Sequence, residues 1–411
     1  MKFIVIGVTD NPQPWFPPDV LAAIRRGRVF SGGRRHHELV APLLPEGAEW
    51  IDITVPLEGV FRQYASRFAR QASASVVVFA SGDPLFFGFA NTLRRQLPEA
   101  EMELYPAFNS LQLLAHRLLL PYHDLRVVSL TGRPWTELDR ALIERSPKIG
   151  LLTDREHTPA AIAQRLTDYG YTYYKIHAGE HLGNPALERV TTLSPEEAAG
   201  RRFEQPNCVI LEQCAGMPPK PFGLPDTAFA LLDGREKMIT KMPVRLLTLQ
   251  ALDLPRRHVL WDIGFCTGSV SIEARLQFPQ LQVVAFEVRP ECEALMQENC
   301  RRFGVPGIET VIGDFLEMRD ERLLTPDAVF IGGHGGRLRE VMAKAARHLA
   351  PGGVMVMNSV TSAVVERLTD HRPSSRQLWD KACEALGLKQ EPPIRLQLND
   401  YNPIEILKCS K

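Results

Sequence analysis

Short runs of aliphatic and β-branched residues alternate along the chain with segments whose apolar residues recur at helical spacing. In the second half, apolar runs predict strands at 259–263, 282–288, 308–313, 327–331 and 354–360. Helical patterns at 269–278 and 290–303 lie between them. Two final runs, 394–398 and 404–408, have no helix between them and are expected to pair antiparallel. The alternation predicts a doubly wound α/β sheet that binds ligands at the carboxyl ends of its strands.

The first half also alternates, but its loops carry different motifs. Its apolar runs predict strands at 3–8, 76–80, 101–105, 127–130 and 148–152. Residues 214–225 contain four prolines and two glycines, a composition typical of a linker. Since 411 residues exceed what one hydrophobic core usually organises, the sequence predicts an α/β domain at 1–213, a linker at 214–225 and a second α/β domain at 226–411.

Charge and composition exclude several classes of function. Lys plus Arg and Asp plus Glu each number 48, so the formal net charge is zero and the sequence lacks the basic excess of nucleic-acid binders. The longest apolar runs, such as 76–80 and 354–357, are too short to span a membrane. Seven cysteines without zinc-ligand spacing indicate reduced thiols in the cytoplasm. Although His36 and His37 are adjacent, no partner cluster accompanies them, and we expect no metal site.

The loop at 262–269 joins a predicted strand to a predicted helix and is the main candidate for a ligand site. A dinucleotide fingerprint would place glycines at 264, 266 and 269, but Cys266 and Ser269 occupy two of those positions, which disfavours NAD. The loop begins with Asp262, and Glu287 follows Gly264 by 23 residues, where it is placed to bind two ribose hydroxyls. Asp262 suits the cationic amino-acid tail of an adenosyl ligand, and Glu287 suits its ribose. S-adenosylmethionine has both groups and is the expected ligand. The alternative is a glycine turn required only for packing.

Several motifs of the second half resemble the C15-methylating, decarboxylating part of the precorrin methyltransferases. The similarity covers roughly residues 220–370. Its motifs are Gly223–Phe229, Ile239–Arg245, Trp261–Gly264, Thr267–Glu273, Phe330–Gly333 and Asn358–Thr361.

The first half resembles tetrapyrrole methylases of the precorrin C5 type. Its motifs are Ser81–Gly88, Gly32–His36, Ser129–Arg133, Leu152–Asp154 and Gly179–Gly183. The segment Gly7–Pro12 departs from that family's usual Gly-x-Gly-Pro-Gly loop, and Asn109 replaces its common Ser or Thr. Both halves in this order resemble the fused C5,15-methyltransferases of cobalamin synthesis.

The resemblance implies one S-adenosylmethionine per domain. In the first domain the implied cofactor residues are Gly82, Asp83, Phe86, Asn109 and Ser110. In the second domain they are Thr240, Asp262, Gly264, Phe265, Cys266, Thr267, Gly268, Glu287 and Phe315. The implied substrate is precorrin-6B or its cobalt form, methylated at C5 and C15 with loss of the C12 acetate carboxyl group. Neither a membrane nor a nucleic acid is implied as a partner, and a homo-oligomer is left open.

The expected chemistry requires alignment of the reactants and exclusion of water more than acid–base groups, and no catalytic side chain is assigned. A substrate rimmed by carboxylates favours guanidinium partners. The candidate substrate contacts are Arg34 and Arg35 in the first half and His334 and Arg337 in the second. Two other functions remain open: modification of RNA or protein, and catalysis by the second domain alone beside a non-catalytic binding module.

Overall fold

The computed structural model describes residues 1–70, 74–214, 216–319, 323–360, 374–399 and 402–411. Contacts between Cα atoms divide the chain into two compact units. The first unit comprises Met1–Pro134, Ser146–Thr167 and Thr172–Gly216. The second comprises Trp135–Arg145, Asp168–Tyr171 and Met217–Lys411. Two short segments of the N-terminal half therefore pack with the C-terminal half of the sequence.

A parallel sheet forms the first part of the first unit. Its strands are β1 (Lys2–Val8), β2 (Val29–Gly32), β3 (Glu49–Asp52), β4 (Ser75–Ser81) and β5 (Glu101–Tyr105). Their order is β3-β2-β4-β1-β5, with every pair parallel. The accompanying helices are α1 (Pro18–Arg26), α2 (Arg34–Val40), α3 (Glu58–Arg70) and α4 (Phe89–Gln96). Phe3 packs edge-on against Tyr64 and Phe68 of α3, which fixes that helix on the sheet.

A mixed sheet follows in the same unit. It contains β6 (Arg126–Ser129), β7 (Lys148–Leu152), β8 (Tyr174–Glu180), β9 (Arg189–Leu193) and β10 (Asn207–Gln213). The order is β6-β7-β10-β8-β9, with only β6 and β7 parallel among these pairs. The helices of this stretch of sequence are α5 (Ser110–Leu118), α6 (Thr136–Ile143), α7 (Pro159–Asp168) and α8 (Pro195–Ala199). Helix α6 belongs by its contacts to the second unit.

The second unit is built on a larger mixed sheet. Its strands are β11 (Val259–Ile263), β12 (Gln282–Glu287), β13 (Ile308–Ile312), β14 (Ala328–Ile331), β15 (Val354–Val360), β16 (Lys389–Gln390), β17 (Ile394–Leu396) and β18 (Ile404–Ser410). Its helices are α9 (Met242–Ala251), α10 (Ser269–Gln277), α11 (Glu291–Phe303), α12 (Leu338–His348) and α13 (Ser375–Leu386). Short 3₁₀ turns lie at 226–228, 232–234, 236–238 and 254–256 in this unit, and at 41–43 in the first unit. The predicted α/β class of both halves is confirmed.

The strand order of this sheet determines where a ligand-binding crevice is expected. The order is β13-β12-β11-β14-β15-β18-β16, with β17 paired to β18. Strands β11 to β15 are parallel, and β17 pairs antiparallel with β18, as predicted for the final two runs. From β11 the chain first builds outward to β13 and then returns to build β14 and β15 on the other side. The carboxyl ends of β11 and β14 therefore flank the switch point, where open α/β sheets bind ligands.

All seven cysteines are free thiols, and six of them are buried while Cys214 is partly exposed. Burial raises the pKa of Cys208 and of Cys300 to about 12.

Within the described ranges, no helix combines the length and the apolar character needed to cross a membrane.

Candidate functional site

The glycine loop after β11 is shaped by close backbone contacts. Gly264 has a φ of +81°, and a Cβ atom there would lie 2.5 Å from the amide nitrogen of Gly333. Cys266 and Gly268 also have positive φ values, of 49° and 73°. Because the neighbouring backbone follows β14, the two loops meet without an intervening side chain. The glycines predicted from sequence are therefore required by the geometry of this crevice.

The crevice is a cavity of about 1010 Å³ at the carboxyl ends of β11, β12, β14 and β15. It gathers most of the residues predicted for the second domain, namely Thr240, Asp262, Gly264, Phe265, Cys266, Thr267, Glu287, Phe315, His334 and Arg337. Gly268 is the N-cap of α10 and is not one of the described residues that line the cavity. The volume of the cavity, and its mostly apolar lining with a few polar groups, suit a nucleoside-sized ligand.

Asp262 brings an incompletely satisfied carboxyl group to this cavity. The residue is 1% exposed, and its Oδ2 accepts a hydrogen bond of 2.6 Å from the Ser271 hydroxyl. Among the described residues its Oδ1 has no partner. Burial raises the pKa of Asp262 to about 7, although the contact with Ser271 opposes the shift. A buried acceptor without a partner is costly, so the site fits a ligand that donates a hydrogen bond or carries positive charge.

Glu287 ends β12 and organises the loop around it. Its Oε2 accepts from the backbone N–H of Cys266 at 3.0 Å, and its carboxylate forms two hydrogen bonds with the Arg289 guanidinium, at 3.0 and 2.7 Å. Burial raises the pKa of Glu287, but the contacts with Arg289 outweigh it and the net pKa is lowered. Glu287 is therefore a carboxylate at neutral pH. Sequence reasoning missed Arg289, which lies two residues beyond a strand end and carries no motif.

A buried ion pair holds the segment that leads to Thr240. The Arg245 side chain is fully buried, and its Nε lies 3.3 Å from Oε2 of the equally buried Glu273. One Nη of Arg245 donates to the carbonyl of Thr240 at 2.9 Å, and the other donates to Leu224. Glu273 in turn accepts from the N–H of Leu224 at 2.8 Å. Arg245 thus fixes the backbone that presents Thr240 to the cavity.

Phe315 is held by aromatic and cationic neighbours. Its ring packs edge-on against Phe286 and Trp261, with centroid separations of 5.1 and 5.8 Å. The Lys344 ammonium lies 5.2 Å from the ring centroid, and its Nζ donates to the carbonyl of Met318 at 2.6 Å. These contacts fix the ring beside the cavity, as a flat apolar surface for a planar heterocycle.

His334 and Arg337 lie on the loop after β14. The Arg337 guanidinium pairs with Asp314 at 3.1 Å and with Glu340 at 2.7 Å. Nδ1 of His334 accepts from the N–H of Gly336 at 3.2 Å, and burial lowers the pKa of His334. The loop therefore presents a guanidinium and a neutral imidazole to the cavity.

A second cavity, of about 530 Å³, lies in the first unit at the ends of β1 and β4. It is lined by the predicted residues Gly82, Phe86, Asn109, Ser110 and Arg35. Asp83 is not among the described lining residues, and its Oδ1 accepts from the N–H of Leu85 at 2.8 Å. Arg34 also lies outside that lining, 92% exposed and paired with Glu38 at 3.1 Å. The structure thus separates the adjacent arginines that the sequence could not distinguish.

The atypical segment after β1 brings a carboxylate to this second cavity. Asp10 is 9% exposed, and its Oδ1 lies 3.2 Å from Nη1 of Arg35. Its Oδ2 lies 3.1 Å from Nδ1 of His181. The other terminal nitrogen of Arg35 donates to the hydroxyl of Ser81 at 3.0 Å. A network of charged and polar groups therefore surrounds the segment whose sequence departs from the Gly-x-Gly-Pro-Gly pattern.

Comparison with known proteins assigns a family model to each half. A model described as tetrapyrrole (corrin/porphyrin) methylases matches residues 2–199, and one described as a precorrin methyltransferase domain matches residues 232–376. A precorrin-6Y C(5,15)-methyltransferase (decarboxylating) from Sinorhizobium sp is 36% identical over 372 residues, covering 89% of this chain and 86% of that protein.

Two further relatives each cover about half of the chain. A cobalt-precorrin-6B C(15)-methyltransferase (decarboxylating) from Salmonella typhimurium is 43% identical over 182 residues, which cover 44% of this chain and 93% of that protein. A cobalt-precorrin-7 C(5)-methyltransferase from the same organism is 26% identical over 209 residues, which cover 51% of this chain and 98% of that protein. Proteins named for the two separate methylations thus each match about half of the chain.

Proposed function

Because the chain belongs to the family of decarboxylating precorrin-6Y C(5,15)-methyltransferases, we propose that it methylates its tetrapyrrole substrate at C5 in the first unit and at C15 in the second. In this proposal the second unit also removes the carboxyl group of the C12 acetate. The observation that carries the proposal is the presence of two separate cavities, one at the strand ends of each unit.

The cavity of the second unit fits S-adenosylmethionine by its chemistry. The unpartnered Oδ1 of Asp262 is a buried acceptor that suits the ammonium group of the cofactor. In this proposal the Glu287 carboxylate, which also lines the cavity, accepts from the ribose hydroxyls, and Phe315 offers an aromatic face for the adenine. In this proposal the cofactor approaches the backbone of Gly264 and Phe265 closely. S-adenosylmethionine supplies an activated methyl group on a sulfonium, so the protein's part is to align the reactants and exclude water.

A second cofactor molecule is proposed for the first unit. Gly82 has a φ of +61°, and a Cβ atom there would lie 2.8 Å from the Cα of Asn109. Asn109 caps α5, with its Oδ1 accepting from the N–H of Gln112 at 2.9 Å. The loops after β4 and β5 therefore approach closely, and Phe86 and Ser110 line the same cavity. Asp83 shapes its loop through the N–H of Leu85.

The substrate's carboxylates account for the cationic groups at both cavities. Arg35 lines the cavity of the first unit and Arg337 lines the cavity of the second unit, and each is oriented by an acidic neighbour. A guanidinium that is already held in place binds a carboxylate with little further loss of side-chain entropy. The pKa of His334 is lowered and its Nδ1 accepts from Gly336, so its proposed part is to donate a hydrogen bond from Nε2 beside Arg337.

The functional division of the chain follows the predicted boundaries in this proposal. Residues 1–213 form the C5-methylating domain, residues 214–225 the linker, and residues 226–411 the domain that methylates C15 and decarboxylates. The two family models support this order, because each lies within one of the two proposed domains.

Calorimetric titration of S-adenosylmethionine into the full-length chain tests the proposal. Two sites per chain are expected, and Asp262→Ala or Glu287→Ala should remove one of them and leave the other unchanged. Incubation with precorrin-6B should give a product with two added methyl groups and one carboxyl group fewer, by mass spectrometry. One cofactor site in the unmodified chain would contradict the bifunctional assignment and favour catalysis by the second domain alone.

A further inference from the structure

The hydroxyl group of Ser81, at the end of β4, lies between two hydrogen-bond donors in the cavity of the first unit. Nη2 of Arg35 donates to its Oγ at 3.0 Å. The distance from Oγ to Nε2 of His36 is 2.9 Å. All three residues line the cavity, and Ser81 is exposed. The direction in which the Ser81 hydroxyl points its own hydrogen therefore depends on the protonation of His36.

The structure defines that protonation. His36 is in the first turn of α2, and its Nδ1 accepts a hydrogen bond of 3.3 Å from the backbone N–H of Gly33. Because Nδ1 uses its lone pair for this contact, the proton of the neutral ring is on Nε2. Burial and the adjacent charge of Arg35 lower the pKa of His36 to about 4, so the ring is neutral at pH 7. Nε2 of His36 is consequently a donor to Ser81.

Both lone pairs of the Ser81 oxygen are then used by Arg35 and His36. The hydroxyl hydrogen must point away from both donors, and Ser81 is left as a donor at the surface of the cavity. Among the described contacts of Ser81, none accepts that hydrogen.

Arg35 is held beside this hydroxyl by its other terminal nitrogen. That nitrogen pairs with Asp10, and Asp10 is itself held by Nδ1 of His181 at 3.1 Å. The guanidinium has five N–H groups, more than its contacts with Asp10 and Ser81 require. A hydroxyl donor next to an immobilised guanidinium matches the two oxygens of a carboxylate.

We propose that Ser81 and Arg35 form a carboxylate-binding subsite for a peripheral side chain of the tetrapyrrole, with His36 and Asp10 as the residues that position them. The inference rests on the proposed function, since it takes the substrate to be a tetrapyrrole. Two carboxylates share this chemistry, that of the substrate and that of the methionine part of the cofactor. The subsite is assigned to the substrate because Gly82, Asn109 and Ser110 already provide the proposed cofactor loops.

Steady-state kinetics with Ser81→Ala and Ser81→Thr in the full chain test the subsite. Ser81→Ala should raise the KM for the tetrapyrrole in the C5 step by roughly 10-fold to 100-fold, the effect of a lost hydrogen bond to a charged group. Ser81→Thr keeps the hydroxyl and should stay within about 3-fold of the unmodified chain. The C15 product, made by the other unit of the same molecule, is the internal control and should not change.

His36 is tested as a positioning residue by a conservative replacement. His36→Ala should raise the same KM, and His36→Gln, which retains a side-chain N–H, should recover part of the loss without changing kcat. An unchanged KM in Ser81→Ala would overturn the subsite while leaving the proposed function intact. A loss of cofactor affinity in the first unit instead would assign the hydroxyl to the cofactor's carboxylate and also overturn the proposal. An unmodified chain that methylates no tetrapyrrole would refute the proposed function, and the subsite with it.

Discussion

Replacing Gly264 by alanine tests whether the crevice depends on the contact between its two loops. The new Cβ atom would lie 2.5 Å from the amide nitrogen of Gly333 and 2.7 Å from its Cα. Both are backbone atoms and have no flexible side chain that could move aside. The φ of +81° adds a second cost, because residues with a Cβ are strained in the left-handed region by about 1–2 kcal/mol.

A matched variant separates these two costs. Gly387, at the C-terminal end of α13, has a φ of +66°, and a Cβ atom there would meet nothing within 4 Å. Gly387→Ala therefore carries only the conformational cost. Gly264→Ala should cost about 1–3 kcal/mol more, the usual penalty for overpacking, for a total of about 2–5 kcal/mol. The excess corresponds to roughly 5-fold to 150-fold in the equilibrium constant for opening.

Hydrogen exchange read by mass spectrometry on peptides of β11 measures this difference within the second unit. Faster exchange is expected in Gly264→Ala than in Gly387→Ala. Cofactor binding to the second unit should be weakened in Gly264→Ala but not in Gly387→Ala. Equal protection of β11 in the two variants would refute the argument that the loops require a glycine for steric reasons.

Two further predictions concern buried charge. Arg245→Met leaves the Glu273 carboxylate buried without its cation and should lower the free energy of unfolding by about 3–5 kcal/mol; adding Glu273→Gln should recover part of that loss in urea unfolding. Burial raises the pKa of Asp262 from its ordinary value of 3.8 to about 7, so the folded state binds its proton more tightly than the unfolded chain, and this contribution to stability is lost as the pH rises from about 4 to about 7. Asp262→Asn should remove this pH dependence, so the difference in free energy of unfolding between the variant and the unmodified chain should change by up to about 4 kcal/mol across that range. A difference that stays constant with pH would contradict the assignment.

Local patterns were sufficient to predict most elements that flank the cavity of the second unit. The strands at 259–263 and 354–360 have the predicted bounds, and the helix predicted at 290–303 begins one residue later, at Glu291. These segments combine clear periodicity with glycine or proline boundaries. In the first half β2, β3, β8 and β9 were missed, because polar residues or glycine interrupt the apolar run in each of them.

The predicted site residues were those within recognisable loops, and most of them line one of the two cavities. Thr361, part of one of the motifs, lies outside the described residues. The contacts that sequence could not indicate join distant segments. Arg35 and Ser81 are 46 positions apart, and His181 and Asp10 are 171 apart. Such contacts depend on strand order and loop direction, which no local pattern encodes.

The accessibility of the thiols has a practical consequence for spectroscopy. Cys214 follows the last strand of the first unit directly, and it is the one cysteine of the seven that is not buried. A maleimide dye at neutral pH should therefore attach at this position alone in the native chain. The unmodified protein thus carries a natural labelling point at the start of its proline-rich connection, and fluorescence anisotropy there can test whether that connection moves during turnover.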